Sequence, residues 1–220
     1  MYKACILDID GTLLDSVESI AYVANLVLAE YGLPPQPVKA FNYYAGDGAD
    51  ELMKRTLRAA GDTELVHFEE GRVRYRDIFA VDPLYKVTVF DGMKETLAEL
   101  KRRGIRLAVL SNKPHLAAVK AIETMFGADC FDIIIGQQEG IPRKPSPEGA
   151  WMIAEKFGIR PEECMYVGDT NTDMQTGKAA GMMTIGVTWG FRNREELEEN
   201  HADVIIDHPT ELLNVQESGK

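Results

Sequence analysis

Lys3-Ala4-Cys5-Ile6-Leu7-Asp8-Ile9-Asp10-Gly11-Thr12-Leu13 is the stretch on which the fold reading turns. A short apolar run, suited to a buried strand, stops abruptly at a turn in which Asp8 and Asp10 flank Ile9. The same pattern recurs downstream. Residues 106–110 run into Ser111-Asn112, residues 132–135 into Gly136, and residues 164–167 into Gly168-Asp169, with further runs at 183–187 and 203–206. Helical periodicity fills the intervals at 92–103, 115–126, 147–157, 173–180 and 193–200. Strand alternating with helix predicts an α/β fold, a Rossmann-like parallel sheet with helices on both faces. Ligands of such sheets bind beyond the carboxyl ends of the strands, which is where the polar residues collect here.

The alternation breaks between residues 15 and 84. That stretch reads as helices at 16–31, 49–60 and 63–80, with apolar positions such as Ile20, Val23, Ala24, Val27 and Leu28 on one face. Asp15 with Glu18 reads as a capping box for the first helix. Gly32-Leu33-Pro34-Pro35 and Tyr44-Ala45-Gly46-Asp47-Gly48 punctuate the stretch. The expectation is a helical cap domain at 15–84, inserted into a discontinuous core of 1–14 and 85–220. The cap would lie over the sheet's carboxyl end, with hinges near 13–16 and 82–91.

The 220 residues are 45% hydrophobic, ample for a core, and carry 24 Lys and Arg against 35 Asp and Glu, a net charge of −11. That field is wrong for nucleic acid and for anionic membranes. An anionic substrate would need a local reversal of sign, which a divalent cation supplies. Cys5, Cys130 and Cys164 are isolated, with neither zinc spacing nor a disulfide framework, so a reducing cytoplasm is expected. The N-terminal apolar run is too short for a secretory leader, and no run is long enough to span a membrane. Monomer and homodimer both remain open.

The chemistry lies in residues at the strand ends. Asp8 and Asp10 start on the same side of the backbone and repel unless a cation or a proton intervenes. Mg²⁺ suits such an all-oxygen site. Gly11 permits a sharp turn, and Thr12 brings a hydroxyl and an N–H. Asp169 ends another strand and can reach the same cation, while Asp173 opens a helix. Ser111 and Asn112 can hold phosphate oxygens. Lys144, in Pro142-Arg143-Lys144-Pro145-Ser146-Pro147, can neutralise a phosphate, although spacing does not choose between Arg143 and Lys144. Ser146 and Pro147 read as N-cap and first helical residue. Lys54, Arg55 and Arg58 read either as solvated helix charges or as partners for a substrate carboxylate. Trp189 and Phe191 are read as packing, with the rim of the site as the other possibility. The four histidines share no ligand spacing, and His115 starts a helix.

Taken together, D-I-D-G-T-L (8–13), L-S-N (110–112), Lys144 before Pro145 and G-D-T-N-T-D (168–173) resemble the haloacid-dehalogenase-like hydrolase superfamily, with a C1-type cap. The resemblance implies Asp8 as nucleophile and Asp10 as general acid/base. It implies that Asp8, the Asp10 backbone carbonyl and Asp169 hold Mg²⁺. Ser111, Asn112 and Lys144 would bind the phosphoryl group, with Thr12 and Asp173 in support. Within the superfamily the chain is similar to phosphoglycolate phosphatases, in which Gly46-Asp47-Gly48 would be the substrate-facing cap loop. The implied activity is Mg²⁺-dependent hydrolysis of a small phosphorylated metabolite, 2-phosphoglycolate first, through an aspartyl-phosphate. Pyrophosphatase and β-phosphoglucomutase-like transfer are the same-fold alternatives, and a non-catalytic regulatory module is the alternative from another class.

Overall fold

The run at residues 4–7 lacks polar alternation because both of its faces are covered. All four residues of β1 (Ala4–Leu7) are buried in the computed structural model, which describes residues 2–82 and 84–218. The chain continues through β2 (Leu14–Asp15), α1 (Val17–Glu30), α2 (Phe41–Tyr44), α3 (Ala49–Ala59), α4 (Phe68–Val81) and β3 (Thr88–Val89). Strict alternation follows in α5 (Met93–Arg102), β4 (Arg106–Pro114), α6 (His115–Phe126), β5 (Ile133–Gln137), α7 (Glu148–Phe157) and β6 (Cys164–Gly168). It closes with α8 (Asn171–Ala180), β7 (Met183–Val187), α9 (Arg194–Glu199), β8 (Val204–Ile206) and α10 (Leu212–Ser218).

Six strands form one parallel sheet in the order β5-β4-β1-β6-β7-β8. Cys5 and Leu7 pack on one face with Leu97, Ile122 and Leu212, while Ala4 and Ile6 pack on the other with Ile153 and Ala154. Helices therefore cover both faces, as the sequence predicts. The strand order reverses at β1, so the crevice beyond the carboxyl ends of β1 and β6 is the topological switch point.

The helices between β2 and β3 bury their own cluster, including Val27, Phe41, Met53, Leu57 and Phe79, joined from the sheet's side by Ala117 and Phe191. β2 and β3 pair antiparallel, Leu14 with Val89 and Asp15 with Thr88, so the chain leaves and re-enters the sheet body at one place. Both lie within the segments read as hinges. Pro83, in the second of them, is outside the described residues.

Several local expectations are corrected. Asp15 does not cap α1; it pairs in β2, and Ser16 takes the N-cap position with its hydroxyl donated to Asp10 instead of holding a helix N–H. The helix read at 63–80 starts at Phe68, because Asp62 first closes a turn by accepting the Val66 and His67 N–H groups. α7 begins at Glu148 behind Pro147, and the Ser146 hydroxyl goes to the Glu148 carboxylate. Asp173 does not open α8; it is the third residue, behind a Thr170 N-cap. β4 continues through Pro114, so Ser111 and Asn112 lie within the strand and not after it. No helix among the described residues is long and apolar enough to cross a membrane.

Candidate active site

β1 and β6 are neighbours in register, so the residues that follow them, Asp8 and Asp169, arrive at the same sheet edge. Asp8, Asp169 and Asp173 are all buried, and each offers a carboxylate oxygen within 4.8 Å of the others. Lys144 Nζ lies 2.7 Å from Asp173 Oδ1 and 3.0 Å from Asp8 Oδ1. The second contact lacks hydrogen-bond alignment, which leaves Asp8 Oδ1 buried with no hydrogen-bond partner. The Thr170 N–H and hydroxyl donate to Asp173 Oδ2 at 3.1 and 2.7 Å. Asp169 accepts from the Thr12 hydroxyl at 2.9 Å and from the Phe191 N–H at 2.8 Å. Side chains are excluded around it. A Cβ on Gly11, whose φ is +85°, would sit 2.2 Å from Asp169 Oδ2, and one on Gly190 would sit 2.3 Å from Asp169 Cβ.

Burial is the largest influence on Asp8 and pushes its pKa up to about 6; the Lys144 charge opposes the rise, and Asp173 and Asp10 add to it. Asp169 is raised well above the ordinary carboxylate range, by burial first and then by Asp173 and Asp8. Burial disfavours the Lys144 ammonium, but Asp173 and Asp8 outweigh it, so its pKa rises well above the usual lysine value. The cluster thus sets three buried carboxylates against one lysine. Hard oxygen donors at this spacing, one of them lacking a hydrogen bond, fit a divalent cation.

One pH dependence follows. A carboxylate whose folded pKa is raised holds more protons folded than unfolded, so its contribution to stability falls as pH rises from 3.8 through about 6. In EDTA, wild-type protein is expected to lose melting temperature relative to Asp8→Asn between about pH 4 and pH 7. Parallel melting curves for the two proteins across that range would contradict the assignment.

The carboxylate of Asp10 stands apart from the three-acid cluster. It accepts from Ser16 Oγ at 2.7 Å and from Lys113 Nζ at 2.8 and 3.1 Å. Asp8, Asp10, Ser111 and Asn112 line one cavity, together with Gly46 and Gly48. The Asn112 side chain is committed to backbone, donating to the Gly46 and Lys144 carbonyls at 3.1 Å each and accepting the Lys144 N–H at 2.9 Å. Lys144 points inward, while Arg143 donates to the Asp47 carbonyl at 3.3 Å.

The 45–48 loop is held against the sheet's end. The Thr172 hydroxyl donates to the Asp47 carboxylate at 2.7 Å, and Arg192 donates to the Ala45 carbonyl at 3.0 Å. Lys54 pairs with Glu51 and Arg55 with Asp47; neither they nor Arg58 line the cavity. Trp189 donates to the Thr12 carbonyl at 3.0 Å, and Phe191 is buried among the inserted helices, so both pack and position. Sequence reasoning misses Lys113 and Arg192. Lys113 stands two residues after Ser111, but β4 shifts register against β5 between Leu110 and Pro114, so strand alternation does not mark it. Nothing local marks Arg192.

A doubly wound parallel sheet with clustered carboxylates and a lysine at its switch point is suited to a divalent cation and an anionic ligand. The chain belongs to the haloacid dehalogenase-like hydrolases, whose family model matches residues 2–181. It is 32% identical over 207 residues to the phosphoglycolate phosphatase of Pectobacterium atrosepticum, covering 94% of this chain and 88% of that one. Its identity to the phosphoglycolate phosphatase of Haemophilus influenzae is 30%, over 97% of this chain and 98% of that protein. The fold matches the crystal structure of a predicted phosphoglycolate phosphatase from Haemophilus somnus with a TM-score of 0.90, at 26% identity and 97% coverage of both chains.

Proposed function

We propose that this hydrolase is a Mg²⁺-dependent phosphatase of a small phosphorylated metabolite, with 2-phosphoglycolate, for which its relatives are named, as the first candidate substrate. The observation that carries the reading is Asp8, a buried carboxylate with an oxygen lacking a hydrogen bond, which lines a small cavity with Ser111 and lies 3.0 Å from Lys144. Asp8 attacks phosphorus, and the bond to the leaving oxygen breaks as Asp10 protonates it. Asp10 then takes a proton from the water that attacks the aspartyl-phosphate, releasing phosphate and restoring Asp8. The Ser111 hydroxyl, the Asn112 backbone N–H and Lys144 hold the phosphoryl oxygens through charge-assisted hydrogen bonds.

Asp8, the Asp10 carbonyl and Asp169 would hold Mg²⁺, with Thr12 and Asp173 supporting them. When bound, the ion would offset negative charge on the phosphoryl oxygens. Residues 15–84 act as a cap over the core of 1–14 and 85–220, with Gly46 and Gly48 facing substrate and Asp47, bonded to Thr172 and Arg55, holding their loop. The free cysteines fit a reducing cytoplasm.

The test is phosphate release from 2-phosphoglycolate, β-glucose 1-phosphate, pyrophosphate and p-nitrophenyl phosphate, with Mg²⁺ and with EDTA. Mg²⁺-dependent release with the highest kcat/KM on 2-phosphoglycolate is expected; silence on every ester overturns the reading. Mg²⁺ is also expected to raise the melting temperature of wild-type protein but not of Asp169→Asn.

A further inference from the structure

The cavity beside Asp8 has two kinds of lining. Asp8, Ser111 and Asn112 carry the phosphate chemistry proposed above, whereas Ile20, Leu52, Tyr75 and Phe79 are apolar or aromatic. Lys113 is the one cationic side chain among the described residues lining it. Its side chain is only 3% exposed, and Nζ lies 2.8 and 3.1 Å from the two Asp10 oxygens and 4.4 Å from the centre of the Phe79 ring. The phosphoryl-transfer steps leave this residue without a role. A buried ammonium is costly unless its N–H donors find partners.

An ammonium has three N–H donors, and Asp10 engages at most two of them. One remains for an anion in the cavity. Ser111 and Lys113 are two residues apart where β4 shifts register against β5, and both reach the same cavity. A phosphoester whose carboxylate is one oxygen and one methylene from phosphorus spans roughly 4 Å, which a short serine and a long lysine can bracket. The cavity volume is about 50 Å³. At about 10–15 Å³ per water-sized group, that is room for a few such groups only, which favours a small substrate.

We propose that Lys113 is a specificity-determining residue, selecting phosphoesters whose leaving group bears a carboxylate by donating an N–H to that carboxylate while it stays paired with Asp10. The inference rests on the phosphatase reading and extends it to the leaving group. A neutral leaving group forfeits this hydrogen bond inside a desolvated site, the situation in which discrimination is largest.

Two measurements test it. In the first, wild-type protein with Mg²⁺ is titrated calorimetrically with 3-phosphonopropionate and with propylphosphonate. The carboxylate-bearing compound is expected to bind about tenfold tighter or more; equal affinity overturns the proposal and needs no variant to fold. In the second, kcat/KM is measured for 2-phosphoglycolate and for ethyl phosphate in wild type, Lys113→Met and Lys113→Arg. The ratio of the two is expected to fall about tenfold or more in Lys113→Met, chiefly through KM, and to be largely kept in Lys113→Arg. Equal losses on both esters would show that Lys113 acts only through Asp10, and would overturn the proposal while sparing the phosphatase reading. Hydrolysis of neither ester by wild type would instead remove the reading on which the proposal rests.

Discussion

Asp8→Asn is expected to lower kcat for phosphate release by at least about 10⁴-fold, since removing a covalent nucleophile abolishes the main pathway. The amide keeps the shape of the carboxylate but has no anionic oxygen with which to attack phosphorus. Among the carboxylates of the described residues, Asp8 alone combines burial, an oxygen lacking a hydrogen bond and the proximity of Lys144 at 3.0 Å. Loss of the enzyme by unfolding is not the expected cause. Burial and the Asp173 and Asp10 charges hold Asp8 up at about 6 against the pull of Lys144, so its charge is unfavourable to the fold near neutral pH and its neutral replacement is tolerated. Single-turnover phosphate release with Mg²⁺, read beside a melting curve, makes the test. Retention of more than about a hundredth of wild-type activity would point to another nucleophile. Asp10→Asn, losing an acid/base group, is expected to cost about 10²–10⁴-fold.

Lys144→Met is expected to destabilise the protein in EDTA by about 3–5 kcal/mol, because it strips the cation from a buried carboxylate cluster. For a chain of this size that corresponds to a drop of about 6–20 °C in melting temperature. The lysine side chain is 2% exposed and Asp173 is fully buried, so solvent screening cannot replace the lost charge. Adding Asp173→Asn should recover part of the loss, since it removes one of the carboxylates left behind. A drop of less than about 2 °C would mean that the lysine is not balancing the cluster. Activity should fall as well, because Lys144 is placed against the phosphoryl oxygens.

The two corrected helix starts show how local signals lose to contacts from elsewhere. Asp15 and Glu18 have the spacing of a capping box, yet Asp15 gains a strand partner in Thr88, and Ser16 gives its hydroxyl to Asp10. The strand end misread at residue 110 has a further consequence. With β4 continuing through Pro114, Lys113 shares a cavity with Ser111, a relation that stopping the strand early conceals.

The sequence by itself determines the alternation of strands and helices, the break in that alternation after the first strand, and the strand ends that carry Asp8 and Asp169. Each is written in a local period of apolar residues followed by an abrupt polar stop. Tertiary structure alone decides that Lys144 and not Arg143 meets the acids, that the carboxylate of Asp10 leaves the cluster for Lys113, and that Arg192 reaches the 45–48 loop. Those contacts join residues 103 positions apart for Lys113 with Asp10 and 147 apart for Arg192 with Ala45. A through-space pairing over such distances leaves no period in the chain, and its energy exists only once the sheet and the inserted helices have brought the partners together.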